Sequence, residues 1–155
     1  LDGKNKDVSI MDYFATCPLC GDVKAATEAN HDRIIAVNEH SILLVGDHQF
    51  FSGYSMLVAR THVREMHDLP QAVQQAIFAD LMRLGRAVSK VFAPLKINYA
   101  SLGNVVEHLH WHVIPRYSDE TDPKSHPWAE AADFQNHKTT PEVARRVAAA
   151  LQKYL

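Results

Sequence analysis

Hydrophobic and polar positions change period repeatedly along this chain. Arg33-Ile34-Ile35-Ala36-Val37 and Ile42-Leu43-Leu44-Val45 are short runs rich in β-branched side chains, with Asn38-Glu39-His40 between them. Two such runs around a polar turn predict a β-hairpin. Ser55-Met56-Leu57-Val58-Ala59, entered through Gly53, predicts a third strand. Over residues 68–92 the period becomes helical. Val73, Ile77, Leu81, Leu84, Val88 and Val91 share one face, while Gln74, Gln75, Arg83, Arg86 and Lys90 lie elsewhere. Asp68 with Gln71 offers a capping-box start, and Pro94 closes the helix. Residues 97–102 and 109–114 predict two more strands, joined at Gly103-Asn104. Thr140-Pro141-Glu142 opens a last helix with an N-cap and a proline at its first position, and Val143, Val147, Leu151 and Leu155 form its apolar stripe.

Two stretches carry no period. Residues 1–16 are polar and mixed, which predicts a loosely tethered lead-in. Residues 118–140 are rich in Asp, Pro and Lys and read as a loop segment. A structureless run of about 20 residues is uncommon inside a compact domain, so this one should be pinned, with Trp128 and Phe134 as the pins. Strands, a long helix, more strands and a C-terminal helix over 141–155 give an α+β class. The sheet is expected to be mainly antiparallel with about five strands, in a single domain spanning 1–155.

Composition narrows the function. Sixteen Lys and Arg against 18 Asp and Glu give a formal charge of -2 over 155 residues, which lacks the basic footprint of a nucleic-acid polymer binder. No stretch approaches the roughly 20 apolar residues that span a bilayer, and Leu1-Asp2-Gly3-Lys4 begins no apolar signal region. Cys17 and Cys20 are too close together to staple distant parts of a fold. A cytoplasmic enzyme is the expectation. The one skewed count is histidine, with ten residues.

His108-Leu109-His110-Trp111-His112-Val113-Ile114-Pro115 holds three of them in strict alternation. On a strand this sends three imidazoles to one face, roughly 6–7 Å apart, and Leu109, Trp111 and Val113 to the other. Three buried, unpaired rings would be costly, so that face should meet solvent, a ligand or a metal. A neutral imidazole is a good nucleophile near pH 7, and attack on phosphorus would split one hard step into two. Neighbouring imidazoles can stabilise the phosphoryl oxygens. A metal is the second reading, since His-x-His on a strand is a common zinc pair. A merely polar strand face is the third.

These residues resemble the His-φ-His-φ-His-φ-φ signature (φ, hydrophobic) of the histidine triad (HIT) nucleotide hydrolases and transferases. The resemblance runs from about Cys17 to Tyr117. It includes Gly53-Tyr54-Ser55-Met56-Leu57-Val58-Ala59-Arg60-Thr61-His62, like the strand before that family's long helix, and Gly103-Asn104-Val105-Val106-Glu107, like its approach to the triad. It implies that His110 is the nucleophile and that His112 hydrogen-bonds the α-phosphate. Asn104 falls where the family usually has a phosphate-binding Gln and is one methylene shorter. Asp47 falls where an acidic residue meets the ribose hydroxyls, and a turn residue after a strand is its other reading. Tyr54 departs from the family, which often has His there, so the resemblance carries no contact from this position to the catalytic histidine.

Cys17-Pro18-Leu19-Cys20-Gly21 has the spacing of a zinc half-site, with Gly21 permitting a turn; taken alone, the pair is equally compatible with redox chemistry or coincidence. The resemblance implies two further ligands, His62 and His108, for a structural zinc that positions the triad strand, and the chemistry itself requires no cofactor. His31, His40, His67, His126 and His137 lie in no motif, and His48 follows Asp47, a position that would allow it to line the pocket. The resulting expectation is a nucleotide phosphohydrolase of the diadenosine polyphosphate hydrolase type, acting on a dinucleoside polyphosphate or nucleoside phosphoramidate. Its partners would be a small nucleotide and a second copy of the chain in a homodimer, with neither nucleic-acid polymer nor membrane. The rivals are a zinc hydrolase with the metal at the triad and a non-catalytic nucleotide-binding module.

Overall fold

The computed structural model describes residues 17–29, 31–120 and 122–155, without the side chains of 130–132. The lead-in expected over 1–16 lies outside the described residues. Eight elements carry the fold: α1 (Pro18–Thr27), β1 (Ile34–Val37), β2 (Ser41–Val45), β3 (Ser55–Ala59), α2 (Gln71–Phe92), β4 (Lys96–Ala100), β5 (His110–Arg116) and α3 (Pro141–Gln152). The class is α+β, with five strands in the order β1-β2-β3-β5-β4, every neighbouring pair antiparallel.

Alternation along the strands sorts their side chains into two cores. Leu43, Val45, Leu57 and Val113 meet Ile77, Leu81, Leu84 and Val88 of α2 and Val147 and Leu151 of α3. Ile42, Leu44, Met56, Val58 and Ile114 point the other way, onto Leu19 and Ala26 of α1, Phe51, Trp128 and Phe134. Because both faces are covered, every residue of β2 and β3 is buried. Each fully buried Leu or Ile contributes about 1.5–3 kcal/mol relative to exposure. Of the described helices, none is long and apolar enough to cross a membrane.

Three local expectations are corrected. Gly21 is an interior residue of α1 rather than a turn: Cys17 is the extended N-cap and Pro18 occupies the first turn, where its missing N–H is no loss. Asp68 does not cap α2. Residues Met66–Asp68 form their own 3₁₀ turn, and the extended backbone of Pro70 (φ -55°, ψ 144°) starts the long helix at Gln71. The segment 118–140 is not all loop, for Pro127–His137 winds as a 3₁₀ helix.

Trp128 and Phe134 do pack this segment against the sheet, and a third pin is Arg116. Arg116 is 4% exposed, and its guanidinium donates to Glu120 from Nε at 2.8 Å and to Asn98 Oδ1 and the Ser125 carbonyl from Nη1 at 2.9 and 2.8 Å. It also lies 5.3 Å from the Phe51 ring centroid. The N-cap of α3 follows expectation, with Thr140 accepting from the Val143 N–H. At the far end of α2, Ala93 takes a left-handed conformation (φ 48°) and Pro94 follows.

Candidate active site

β5 lies opposite β3 with His110 facing Val58 and His112 facing Met56. The three histidines are not the even row the alternation predicts. The Leu109 N–H is taken by the Val63 carbonyl at 2.7 Å, so the strand begins only at His110 and His108 stands before it. The His108 Nε2 donates to the Ala59 carbonyl at 2.7 Å. Its Nδ1 faces Cys17 Sγ at 3.6 Å and Cys20 Sγ at 3.5 Å.

His110 and His112 form a pair of their own. Their Nε2 atoms are 3.1 Å apart, and His110 Nδ1 donates to the His108 carbonyl at 2.7 Å. Burial pushes His112 down to about 4, with the repulsion that two protonated rings at His110 and His112 would feel adding to the effect and Asp47 opposing it, so His112 is neutral at pH 7. Burial likewise lowers His108.

Both imidazoles of the pair line a cleft of about 540 Å³. Pro18, Leu19, Met56, Leu102, Val106 and Trp128 make its walls largely apolar, and the Trp128 ring meets His112 edge-on at 5.2 Å. Asp47, at the end of β2, and Asn104, just after the left-handed Gly103 (φ 70°), line the same cleft. The structure therefore brings together Asp47, Asn104, His110 and His112, and places Cys17, Cys20, His62 and His108 in a separate cluster beside them.

In that cluster the four ligand atoms lie within 4.8 Å of one another, and Cys20 Sγ is 3.1 Å from His62 Nδ1. A tetrahedral zinc with bonds of about 2.0–2.3 Å holds its ligand atoms roughly 3.5 Å apart, so the spacing fits. The donor set of two thiols and two imidazoles fits as well. His108 spends its Nε2–H on Ala59, which leaves the Nδ1 lone pair facing the cluster, the usual way an outer hydrogen bond fixes a ligating tautomer.

Tyr54, marked in the sequence as a departure from the family that carries no contact to the catalytic histidine, does reach the histidine pair. Its hydroxyl is 2.7 Å from His112 Nδ1. The period-two pattern that puts Met56 and Val58 on the histidine face also puts Tyr54 there, in the place where the family often has His. Asp22 and Arg33 were unforeseen on the cleft wall, where Arg33 Nη2 donates to Asp22 at 3.2 Å. His48 does not line the cleft. It is buried in a stack, 4.5 Å from the Tyr54 ring and 3.9 Å from the Phe134 ring.

A family model described as the HIT domain matches residues 27–119. The Bacillus subtilis "Protein hit" is 25% identical over 85 residues, 52% of this chain, and the chain spans 59% of that relative's length. A histidine triad protein from Marinobacter aquaeolei superposes with a TM-score of 0.68 at 27% identity, covering 79% of this chain and 87% of that one. A zinc-bound histidine triad family protein from Mycobacterium smegmatis superposes with a TM-score of 0.63 at 20% identity, covering 90% of this chain and 95% of that one. With the family model spanning more than half of its length, including His108, His110 and His112, the chain belongs to the HIT domain family.

Proposed function

We propose that this protein is a nucleotide phosphohydrolase that cleaves dinucleoside polyphosphates or nucleoside phosphoramidates through a nucleotidyl intermediate on His110. The observation that carries this reading is the bracing of His110. A carbonyl can only accept, so the 2.7 Å contact to His108 makes Nδ1 the protonated nitrogen and leaves the Nε2 lone pair beside His112 in the cleft. That lone pair forms a bond to the α-phosphorus, while the bond from phosphorus to the leaving group breaks and its electron pair departs with the leaving atom. The ring becomes cationic, and its Nδ1–H strengthens its bond to the carbonyl. Water then forms a new oxygen–phosphorus bond, the phosphorus–nitrogen pair returns to Nε2, and the proton water loses goes to solvent. Solvent supplies the proton that an amine leaving group takes up as its bond breaks, and a phosphate leaving group departs as the anion.

The surroundings suit such a substrate. The apolar wall from Pro18, Leu19 and Met56 accepts a base. Asp47 accepts from ribose hydroxyls, and the Asn104 amide donates to a phosphate. Cys17, Cys20, His62 and His108 would hold a structural zinc, which when bound ties α1 to the segment after β3 and to the start of β5. A metal shared by the triad is less well supported, because both nitrogens of His108 are directed away from His110 and His112. The reading also carries a homodimer. β4 is an edge strand, and Phe78, Met82 and Tyr99 are exposed on and beside it.

The test is mass spectrometry of acid-quenched protein after mixing with dinucleoside polyphosphates and an adenosine phosphoramidate. A nucleotidyl adduct on His110, absent from His110→Ala, is expected. Nucleotide binding without adduct or turnover for any candidate would make the protein a binding module instead.

A further inference from the structure

We infer that Tyr54 is a positioning residue of this site, its hydroxyl donating to His112 Nδ1 and thereby holding His112 in the tautomer whose Nε2–H is presented to the reacting phosphoryl group. The catalytic consequence rests on the hydrolase reading above, whereas the tautomer follows from hydrogen bonding alone.

The assignment propagates from one fixed point. The His108 carbonyl accepts from His110 Nδ1 at 2.7 Å, so in the neutral ring His110 Nε2 has only a lone pair. His112 Nε2 sits 3.1 Å from that lone pair. Two bare nitrogens at this distance would repel each other, so the proton between them belongs to His112 Nε2. A neutral imidazole carries one N–H, which leaves His112 Nδ1 as an acceptor. Among the described residues its polar partner is the Tyr54 hydroxyl at 2.7 Å, and that hydroxyl must therefore donate. The reverse arrangement fails twice. It would set two lone pairs against each other at His110, and it would leave the Tyr54 proton without an acceptor among the described residues.

Tyr54 is built to hold this position. It is 4% exposed, and burial raises its hydroxyl well above the ordinary tyrosine range, so it keeps its proton. One ring face rests on His48, which stacks in turn on Phe134 with planes 16° apart. On the β2 side, Gly46 leaves the space the ring needs, since a Cβ there would collide with it. The backbone is tied as well, with the Gly46 N–H donating to the Tyr54 carbonyl at 2.8 Å. The hydroxyl therefore cannot swing away from His112.

The donation matters because the two imidazoles play unlike parts. When His110 Nε2 bonds to phosphorus, its lone pair is consumed and the His112 Nε2–H is released to a non-bridging phosphoryl oxygen. In the other tautomer a lone pair would meet that oxygen, and the transition state would lose a donor.

Nitrogen NMR of the full, zinc-supplied chain tests this without a substrate. In the wild type, His112 is expected to show a protonated Nε2 and an unprotonated, hydrogen-bonded Nδ1. Tyr54→Phe is expected to move both nitrogens toward averaged shifts as the tautomers mix, and to lower kcat about 10- to 100-fold with KM held within about threefold. A wild-type spectrum with Nδ1 protonated and Nε2 bare overturns the inference and needs no variant. So does a Tyr54→Phe protein whose His112 signals and kcat match the wild type. If the wild type turns over no candidate substrate, the hydrolase reading falls, and the nitrogen spectrum alone still decides the tautomer.

Discussion

The imidazoles of His108 and His110 each donate one ring N–H to a backbone carbonyl, at 2.7 Å in both cases, yet they present opposite nitrogens to what lies in front of them. His108 commits Nε2 to Ala59 and turns Nδ1 toward two thiols, at 1% exposure. His110 commits Nδ1 to His108 and turns Nε2 into the cleft beside His112. On the proposed reading one short segment supplies a post and a nucleophile, and the peptide carbonyl of the post braces the ring of His110. An imidazole's task here is set by the partner of its second nitrogen rather than by its place in a His-x-His-x-His pattern.

The contrast breaks most sharply under paired substitutions. His110→Ala removes the proposed nucleophile from the cleft wall, so kcat should fall at least about 10³-fold. Its melting temperature should stay within about 3 °C of the wild type. His108→Ala removes a buried ring and one of four cluster ligands. A loss of roughly 3–5 kcal/mol is expected from such a change, which is a fall of about 6–20 °C at this chain length, together with less than one zinc per chain. Thermal melts and metal analysis of the two proteins read this directly. Equal melting temperatures would erase the division between post and nucleophile.

Acid offers a gentler test of the same division. His112 is held near 4, first by burial and then by its repulsion from a protonated His110, against an unfolded value of about 6.5. A group whose folded value is depressed stabilises the fold above its unfolded value, and that stability drains away as the pH falls from about 6.5 toward 4. For a partly exposed ring the loss should be about 1–2 kcal/mol. Denaturant titrations at pH 7, 6 and 5 should therefore show the wild type losing stability faster than His112→Asn. Protonation at the Cys17, Cys20, His62 and His108 cluster occurs in both proteins and cancels in the difference. Coincident slopes would mean that the fold does not hold His112 neutral.

Much of this arrangement is legible in the chain because its strands alternate and its long helix keeps a single apolar stripe. What escapes is whatever depends on distant partners. α1 buries only Leu19 and Ala26, too few to show a period, and it is Cys17 at its cap and Cys20 within it that matter to the cluster. The 3₁₀ run of residues 127–137 depends on Arg116 and on Phe134 stacking over His48, which no local window contains. Alternation gives the face of His108, His110 and His112 but not where the strand begins. That is decided by Val63, which takes the Leu109 N–H. Tyr54 stands out in the sequence only as a tyrosine where the family often has His, and its 2.7 Å contact with His112 depends on how β3 and β5 pair.

The smallest expected effect lies at Asp47, and it separates substrate reading from chemistry. Asp47 is exposed at the end of β2, lines the same cleft as His110 and Asn104, and its field reaches His112. If its carboxylate accepts from ribose hydroxyls, a charge-assisted bond of about 1.5–3 kcal/mol is at stake. Water competes at an exposed site, so about tenfold in kcat/KM is the expectation. The comparison that isolates this is a cycle. Wild type should prefer a ribonucleotide over its 2′-deoxy counterpart by about tenfold, and Asp47→Asn should lose that preference while its rate on the deoxy substrate barely moves. A variant that slows both substrates equally would show Asp47 acting through the field at His112, as part of the histidine pair and not as a reader of sugar. One that slows neither would leave Asp47 as the turn residue that its place after β2 also allows.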